Sequence, residues 1–167
     1  IELPGGPQIE ILAKKGNPNK YDLPKPIINK GGCNLSFAGL KTAILKISKN
    51  MKNEQERFDL AASFQKTAIE ILKKKTKIAF GEFEKEIKPK EKKFVVAGGV
   101  AANKEIRNML LQLCKEENYA PVFPPIELCG DNAAMIAMVG LEKFKLKKFD
   151  TLDYPAKPRW SLDEDAV

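Results

Sequence analysis

Apolar positions recur at three- and four-residue steps through the first half of the chain. From Phe94 onward, short continuous apolar runs alternate with helical stripes. Between Gln8 and Lys15, Ile9, Leu12 and Ala13 share one helical face, led in by the turn Pro4-Gly5-Gly6-Pro7 and stopped by Gly16-Asn17-Pro18. Pro18, Pro24 and Pro26, with several Asn and Gly, make residues 17–32 an extended connector. Leu35-Ser36-Phe37 is a short strand candidate, and Gly39–Lys49 a helix with Leu40, Ala43, Ile44 and Ile47 inward.

A long helix follows from Glu54 to about Ala79, carried by Phe58, Ala61, Ala62, Ala68, Ile69 and Leu72. Lys73, Lys74, Lys75 and Lys77 near its end suit the negative pole of the helix dipole. The charged stretch 82–93 bridges to the second block. There, Phe94–Ala97 reads as a buried parallel strand ending in Gly98-Gly99. A helix over 102–116 has Ala102, Ile106, Met109, Leu110 and Leu113 on its inner stripe, and Ala120–Phe123 is a second strand. The helix over 131–146 is apolar on nearly every side through Ala133–Val139, which predicts burial on most sides. The class is α/β, helix-rich, with a parallel sheet too small to be complete. Residues 1–150 form one lobe portion and 151–167 a draped tail.

Composition narrows the chemistry. Hydrophobic residues make up 43% and charged residues 31%, enough for a core, and no apolar run nears the ~20 residues that span a bilayer. The chain opens on Ile1-Glu2-Leu3, with no initiator Met, and reads as a cut inside a longer protein. Cys33, Cys114 and Cys129 are too scattered for a disulfide framework, so a reducing cytoplasm is the expected home. The absence of histidine means that any metal must use carboxylates here or ligands from other sequence. A net charge of +7 suits a nucleic-acid partner, although a lysine-rich genome produces the same balance.

Three segments could carry chemistry. In Val95-Val96-Ala97-Gly98-Gly99-Val100-Ala101-Ala102-Asn103 a strand ends in paired glycines before a helix start. Glycines let backbone approach a base or phosphate closely, and the helix start offers free amide donors. A tight reversal needs the same glycines. Asn103 could read a ribose or an adenine edge, or cap its helix. In Phe123-Pro124-Pro125 and Cys129-Gly130-Asp131-Asn132, Asp131 opens a helix as a cation ligand or as its cap, with Asn132 competing for either role. Lys41-Thr42 after Gly39 lacks the spacing of a phosphate loop and reads as a solvated helix start. The basic runs Lys73–Lys77, Lys85–Lys93 and Lys143–Lys148 lack interleaved aromatics, so RNA contact here means phosphate and shape.

Taken in order, these segments resemble the TsaD family of tRNA threonylcarbamoyltransferases, in the actin-like ATPase superfamily. The resemblance rests on Pro4-Gly5-Gly6-Pro7, Gly16-Asn17-Pro18, Ser36-Phe37-Ala38-Gly39-Leu40-Lys41-Thr42, Ala62-Ser63-Phe64-Gln65, Val96–Asn103 and Phe123–Met135, and extends to Pro158-Arg159-Trp160. It implies transfer of a threonylcarbamoyl group from threonylcarbamoyl-adenylate to N6 of adenosine 37 in tRNAs reading codons that start with A. It also implies that Gly6, Gly98, Gly99 and Asn103 bind substrate and that Asp131 ligates one divalent metal, iron or zinc. The implied partners are tRNA and, in bacteria, a TsaB-like paralogue and a TsaE-like ATPase. The family's paired metal histidines and its Ser-Gly-Gly phosphate loop are absent from this chain, so the isolated segment is expected to be inactive. Ala38, Gly130 and Asn34 stand where the family usually shows Ser, Thr and Asp. Two alternatives remain: a small-molecule kinase of the same superfamily, or a non-catalytic scaffold paralogue. Cys129–Met135 argues against the first, and retention of both Asn103 and Asp131 against the second.

Overall fold

The computed structural model describes residues 5–159; Pro4 of the opening turn and Trp160 of the tail motif lie outside the described residues. The chain packs as two compact units, one up to Gly130 and the other from Asp131 onward.

The first unit is organised on one long helix. Helices α1 (Gly5–Ala13) and α2 (Leu40–Ser48) pack against α3 (Glu54–Ile87), whose 34 residues extend roughly 50 Å. Helix α1 begins earlier than expected, because Pro7 sits in the first turn, where its missing N–H costs nothing. Asn53 starts α3 by accepting the Glu56 N–H at 2.9 Å. The helix runs two turns beyond Ala79. Its charged residues there form a solvent face, while Phe80 on the other face stacks on Tyr119 (ring centroids 3.7 Å) and meets Phe94 edge-on (4.9 Å). Residues 82–87 are therefore helix rather than a bridge.

The buried seam of α3 differs from its apolar pattern. Ala61 and Ala62 are buried as expected, but Phe58, Ala68, Ile69 and Leu72 are only half-buried, and the centre of the seam includes Asp59, Ser63, Thr67 and Lys75. The reason is the partner: α3 packs along the irregular connector 17–32, of which only Leu23 is buried and whose peptide groups hydrogen-bond to side chains of α3. Asp59 accepts the Asn17 N–H at 2.8 Å, Ser63 Oγ accepts that of Tyr21 at 3.2 Å, and Lys75 Nζ donates to the carbonyls of Lys30 (2.6 Å) and Gly32 (3.0 Å). The Gly16-Asn17 turn comes so close that a Cβ on Gly16 would lie 2.0 Å from the Phe58 carbonyl oxygen.

The hydrogen bond from Asn17, then that from Gln55, holds the Asp59 carboxyl below its ordinary value. A depressed folded-state pKa gives stability that is complete above the ordinary aspartate value near 3.9 and is lost as the pH falls below it. The thermal midpoint of Asp59→Asn should therefore lie below that of the parent at neutral pH, with the gap closing on acidification. A gap that stays constant with pH contradicts this.

Strands β1 (Lys93–Val95) and β2 (Ala120–Val122) form a parallel pair with Phe94 opposite Pro121, and α4 (Lys104–Glu116) connects them. Helix α4 buries Ile106, Leu110, Leu113 and Cys114. The strands are not buried on both faces. Phe94 packs on the cluster of Phe80, Leu113, Cys114 and Tyr119, whereas Val95 is 66% exposed, because two strands draw cover from one side only. Leu35–Phe37 is not a strand: no strand pairs with it among the described residues, and Ser36 Oγ accepts the Ala38 N–H to start a turn.

The second unit holds α5 (Ala133–Lys145) and the irregular segment that follows it. The expected burial of this helix fails. None of its residues is buried, and Ile136 is 67% exposed. A helix apolar all round needs neighbours on several sides, and the described part of its own unit supplies only residues 146–159.

Candidate nucleoside turn and metal ligand

The two loops of interest leave the carboxyl ends of the two paired strands. After β1, Gly98 adopts φ +90° and ψ 165°, a region open essentially to glycine alone. Gly99 then opens a single 3-10 turn, Gly99–Ala102, closed by the Ala101 N–H on the Gly98 carbonyl at 2.9 Å. Both glycines are exposed, and a Cβ on either would meet nothing within 4 Å. The turn thus presents bare backbone on an open surface, as a ligand-binding turn requires.

Asn103 caps α4: its Oδ1 accepts the Ile106 N–H at 3.0 Å, and its Nδ2 donates to Gln65 Oε1 at 2.9 Å. The cap fixes which end of the amide faces which way, leaving one lone pair and one N–H for a ligand. Gln65 also lines an open cleft of about 320 Å³ with Ala13, Ala62, Ile69 and Glu105. Neither Gly98 nor Gly99 lines it. Gly6 is the second residue of α1, exposed and free of contact at its Cβ position. Its helix reaches the start of α4 through Glu10, which accepts the Lys104 N–H at 3.3 Å.

After β2, Phe123-Pro124-Pro125 leads into a short 3-10 turn, Ile126–Leu128, and the buried Cys129. Arg107, which sequence reasoning missed, reaches this loop from α4. Its Nε donates to the Ala101 carbonyl at 3.1 Å and its Nη2 to the Pro124 carbonyl at 3.0 Å and Cys129 Sγ at 3.3 Å. Its guanidinium lies over the Phe123 ring at 4.6 Å. The available signal was scarcity: Arg57, Arg107 and Arg159 are the arginines among 29 Lys and Arg residues.

In the second unit, Asn132 takes the cap of α5, its Oδ1 accepting the Met135 N–H at 3.1 Å. Asp131 is exposed, and its carboxylate accepts no hydrogen bond among the described residues. It is therefore available as one hard donor to a cation. Among the described residues no three His, Cys, Asp or Glu side chains gather as a metal site.

Lys41 and Thr42 are exposed at the start of α2, as a solvated helix start requires. In the basic runs Lys77 pairs with Glu117 at 2.7 Å and Lys92 with Glu84 at 2.9 Å, while Lys75 is buried on the connector. No helix among the described residues is long and apolar enough to cross a membrane.

The family model for TsaD, tRNA N6-adenosine threonylcarbamoyltransferase, matches residues 1–138. A tRNA N6-adenosine threonylcarbamoyltransferase of Pelagibacter ubique (strain HTCC1062) is 74% identical over all of this chain and 47% of its own length. Proteins of the same name from Rickettsia rickettsii (strain Sheila Smith) and Rickettsia canadensis (strain McKiel) are 48% and 49% identical over 98% of this chain. The chain spans about half the length of these curated relatives. With six ordered motifs, a family match running from the first residue into α5 and a 74% identical relative aligned over all of this chain, the chain belongs to the TsaD family.

Proposed function

We propose that this segment works within a full-length threonylcarbamoyltransferase, in which the group passes from threonylcarbamoyl-adenylate to N6 of adenosine 37 of tRNAs reading A-starting codons. The observation that carries the reading is the Gly98-Gly99 turn: exposed backbone at the carboxyl end of β1, followed by a helix whose cap, Asn103, keeps hydrogen-bonding capacity. Gly6, Gly98, Gly99 and Asn103 hold the adenylate, and Asp131 supplies one ligand to an iron or zinc ion. An ion held there would supply Lewis-acid chemistry toward the carbamoyl carbonyl. The nucleoside turn contributes close backbone approach, and Asn103 orients the ligand. The setting is cytoplasmic, with tRNA, a TsaB-like paralogue and a TsaE-like ATPase as partners.

The test uses the full-length Pelagibacter ubique relative carrying this 167-residue segment in place of its own. Gly99→Val is the informative change. Gly99 needs no left-handed backbone and a Cβ there meets open space, so the fold should hold while a bound nucleoside is obstructed. Transfer to tRNA should fall with the melting temperature nearly unchanged; undiminished transfer sinks the reading. The isolated segment should show no transfer above background, since half a pocket cannot preorganise the electrostatics of the reaction. Turnover by a preparation free of full-length enzyme contradicts that.

A further inference from the structure

We propose that Arg107 is a positioning residue, which fixes the nucleoside turn against the Phe123–Cys129 loop and so sets the affinity of the site for an adenosine ligand. The inference rests on the reading of Gly98-Gly99 as the nucleoside turn.

The turn needs a fixed support. Gly98, Gly99 and Val100 are exposed, so of the turn after β1 only Ala101 is anchored by burial. The carbonyl of Ala101 is the one that Arg107 Nε holds. The same guanidinium reaches across to the Pro124 carbonyl and the Cys129 sulfur, while its face lies on Phe123. One planar group thus closes the space between the loops that follow β1 and β2. Arg107 sits one turn along α4 from Asn103, and its own N–H bonds the Asn103 carbonyl at 3.0 Å, so the clamp and the cap share one stretch of backbone. Cys129 is 3% exposed beneath this contact, its sulfur also facing the Pro125 carbonyl at 3.5 Å.

The geometry demands arginine. A lysine ammonium carries the charge and three donors on a flexible stem, but it has no plane to lie on Phe123 and no fork to serve acceptors on both loops at once. Arg107→Lys should therefore keep the fold while loosening one loop from the other.

The experiment uses the full-length chimera described above. An acyl-sulfamoyl adenosine, which cannot transfer its acyl group, serves as the calorimetric probe. Alkylation of Cys129, followed by peptide mass spectrometry, reports the clamp directly. In Arg107→Lys, affinity for the probe should fall about tenfold or more, since small displacements of a positioned site cost this much. Cys129 should alkylate faster, while tRNA affinity and the melting temperature stay near those of the parent. A merely structural arginine would lower tRNA binding and melting together with probe affinity, and that result overturns the proposal. Cys129 opening beside unchanged probe affinity also overturns it, as does a Cys129 that remains protected. Arg107→Ala is the more severe change, and the lysine variant keeps the test valid if the alanine variant does not fold. Gly99→Val separates the two readings. Undiminished probe binding there removes the nucleoside turn and the proposal with it. Loss there beside unchanged binding in Arg107→Lys removes the role of Arg107 alone.

Discussion

Replacing Asp131 by Asn in the full-length chimera should lower threonylcarbamoyl transfer by about a hundredfold or more and strip bound metal, with little change in melting temperature. The structure makes this substitution cleaner than the sequence allowed. Had Asp131 capped α5, its loss would have mixed helix stability with ligand chemistry. The cap is Asn132, whose Oδ1 holds the Met135 N–H, and Asp131 is exposed with no hydrogen bond to lose among the described residues. Asn at 131 keeps the size and polarity of the side chain and removes only its charge. Asn132→Ala supplies the contrast, because removing a cap costs about 0.5–2 kcal/mol whatever the metal does. Elemental analysis of the purified protein gives a readout independent of turnover. Parental metal content and transfer in Asp131→Asn would falsify the ligand assignment.

Gly16→Ala should destabilise the chain by about 3 kcal/mol or more, the largest stability effect expected of any single added methyl here. The new carbon would fall 2.0 Å from the Phe58 carbonyl oxygen and 2.6 Å from the Asp59 nitrogen, both backbone atoms inside α3. Neither can move without bending a helix that the rest of the unit packs on. The same turn delivers the Asn17 N–H to Asp59 and receives Gln55 Nε2 on the Lys15 carbonyl, so relieving the clash breaks these bonds as well. Gly6→Ala is the matched control. It adds the same atom to a helix where nothing lies within 4 Å, so its urea midpoint should equal or exceed that of the parent. Equal midpoints for the two variants would contradict the close approach.

Helices were legible where one apolar stripe faced one partner. Helix α2 and helix α4, with its seam of Ile106, Leu110 and Leu113, fall where their periodicity placed them. Both strands were legible as short apolar runs, but their exposure was not, because burial depends on what covers a strand. Helix α3 was legible to Ala79. Beyond it the charges hid a seam of a single large residue, Phe80, whose partners Tyr119 and Phe94 lie far along the chain. Asp59, Ser63 and Lys75 were invisible as interior residues, since no periodic pattern announces that a helix will hydrogen-bond to bare peptide groups. The motif pairs Gly16-Asn17-Pro18 and Ala62-Ser63-Phe64-Gln65 gave no hint that they are two sides of one contact. For the candidate site, Asn103 as a cap and the glycine turn were both readable. Which of Asp131 and Asn132 caps α5 was not, because both side chains can accept the same amide and only backbone geometry decides.

The connector along α3 has unequal tolerance for changes in its length. Its fixed points, Tyr21 on Ser63 and Lys30 on Lys75, are spaced along α3 by twelve residues of helix, a distance of about 18 Å. The nine residue steps from Tyr21 to Lys30 could stretch to about 30 Å. Leu23, buried with Leu60, and Lys25, paired with Glu70, tie the first part of that stretch to α3, so the surplus is slack held in the bends of residues 26–29, where losing a residue need not pull either anchor from its seat. Between Gly16 and Tyr21 the contacts with α3 come too closely for such slack: Asn17, Asn19 and Tyr21 are each held to it. Insertions and deletions among related chains should therefore collect after Lys25 and stop short of it, with gaps on one side of that lysine and fixed length on the other.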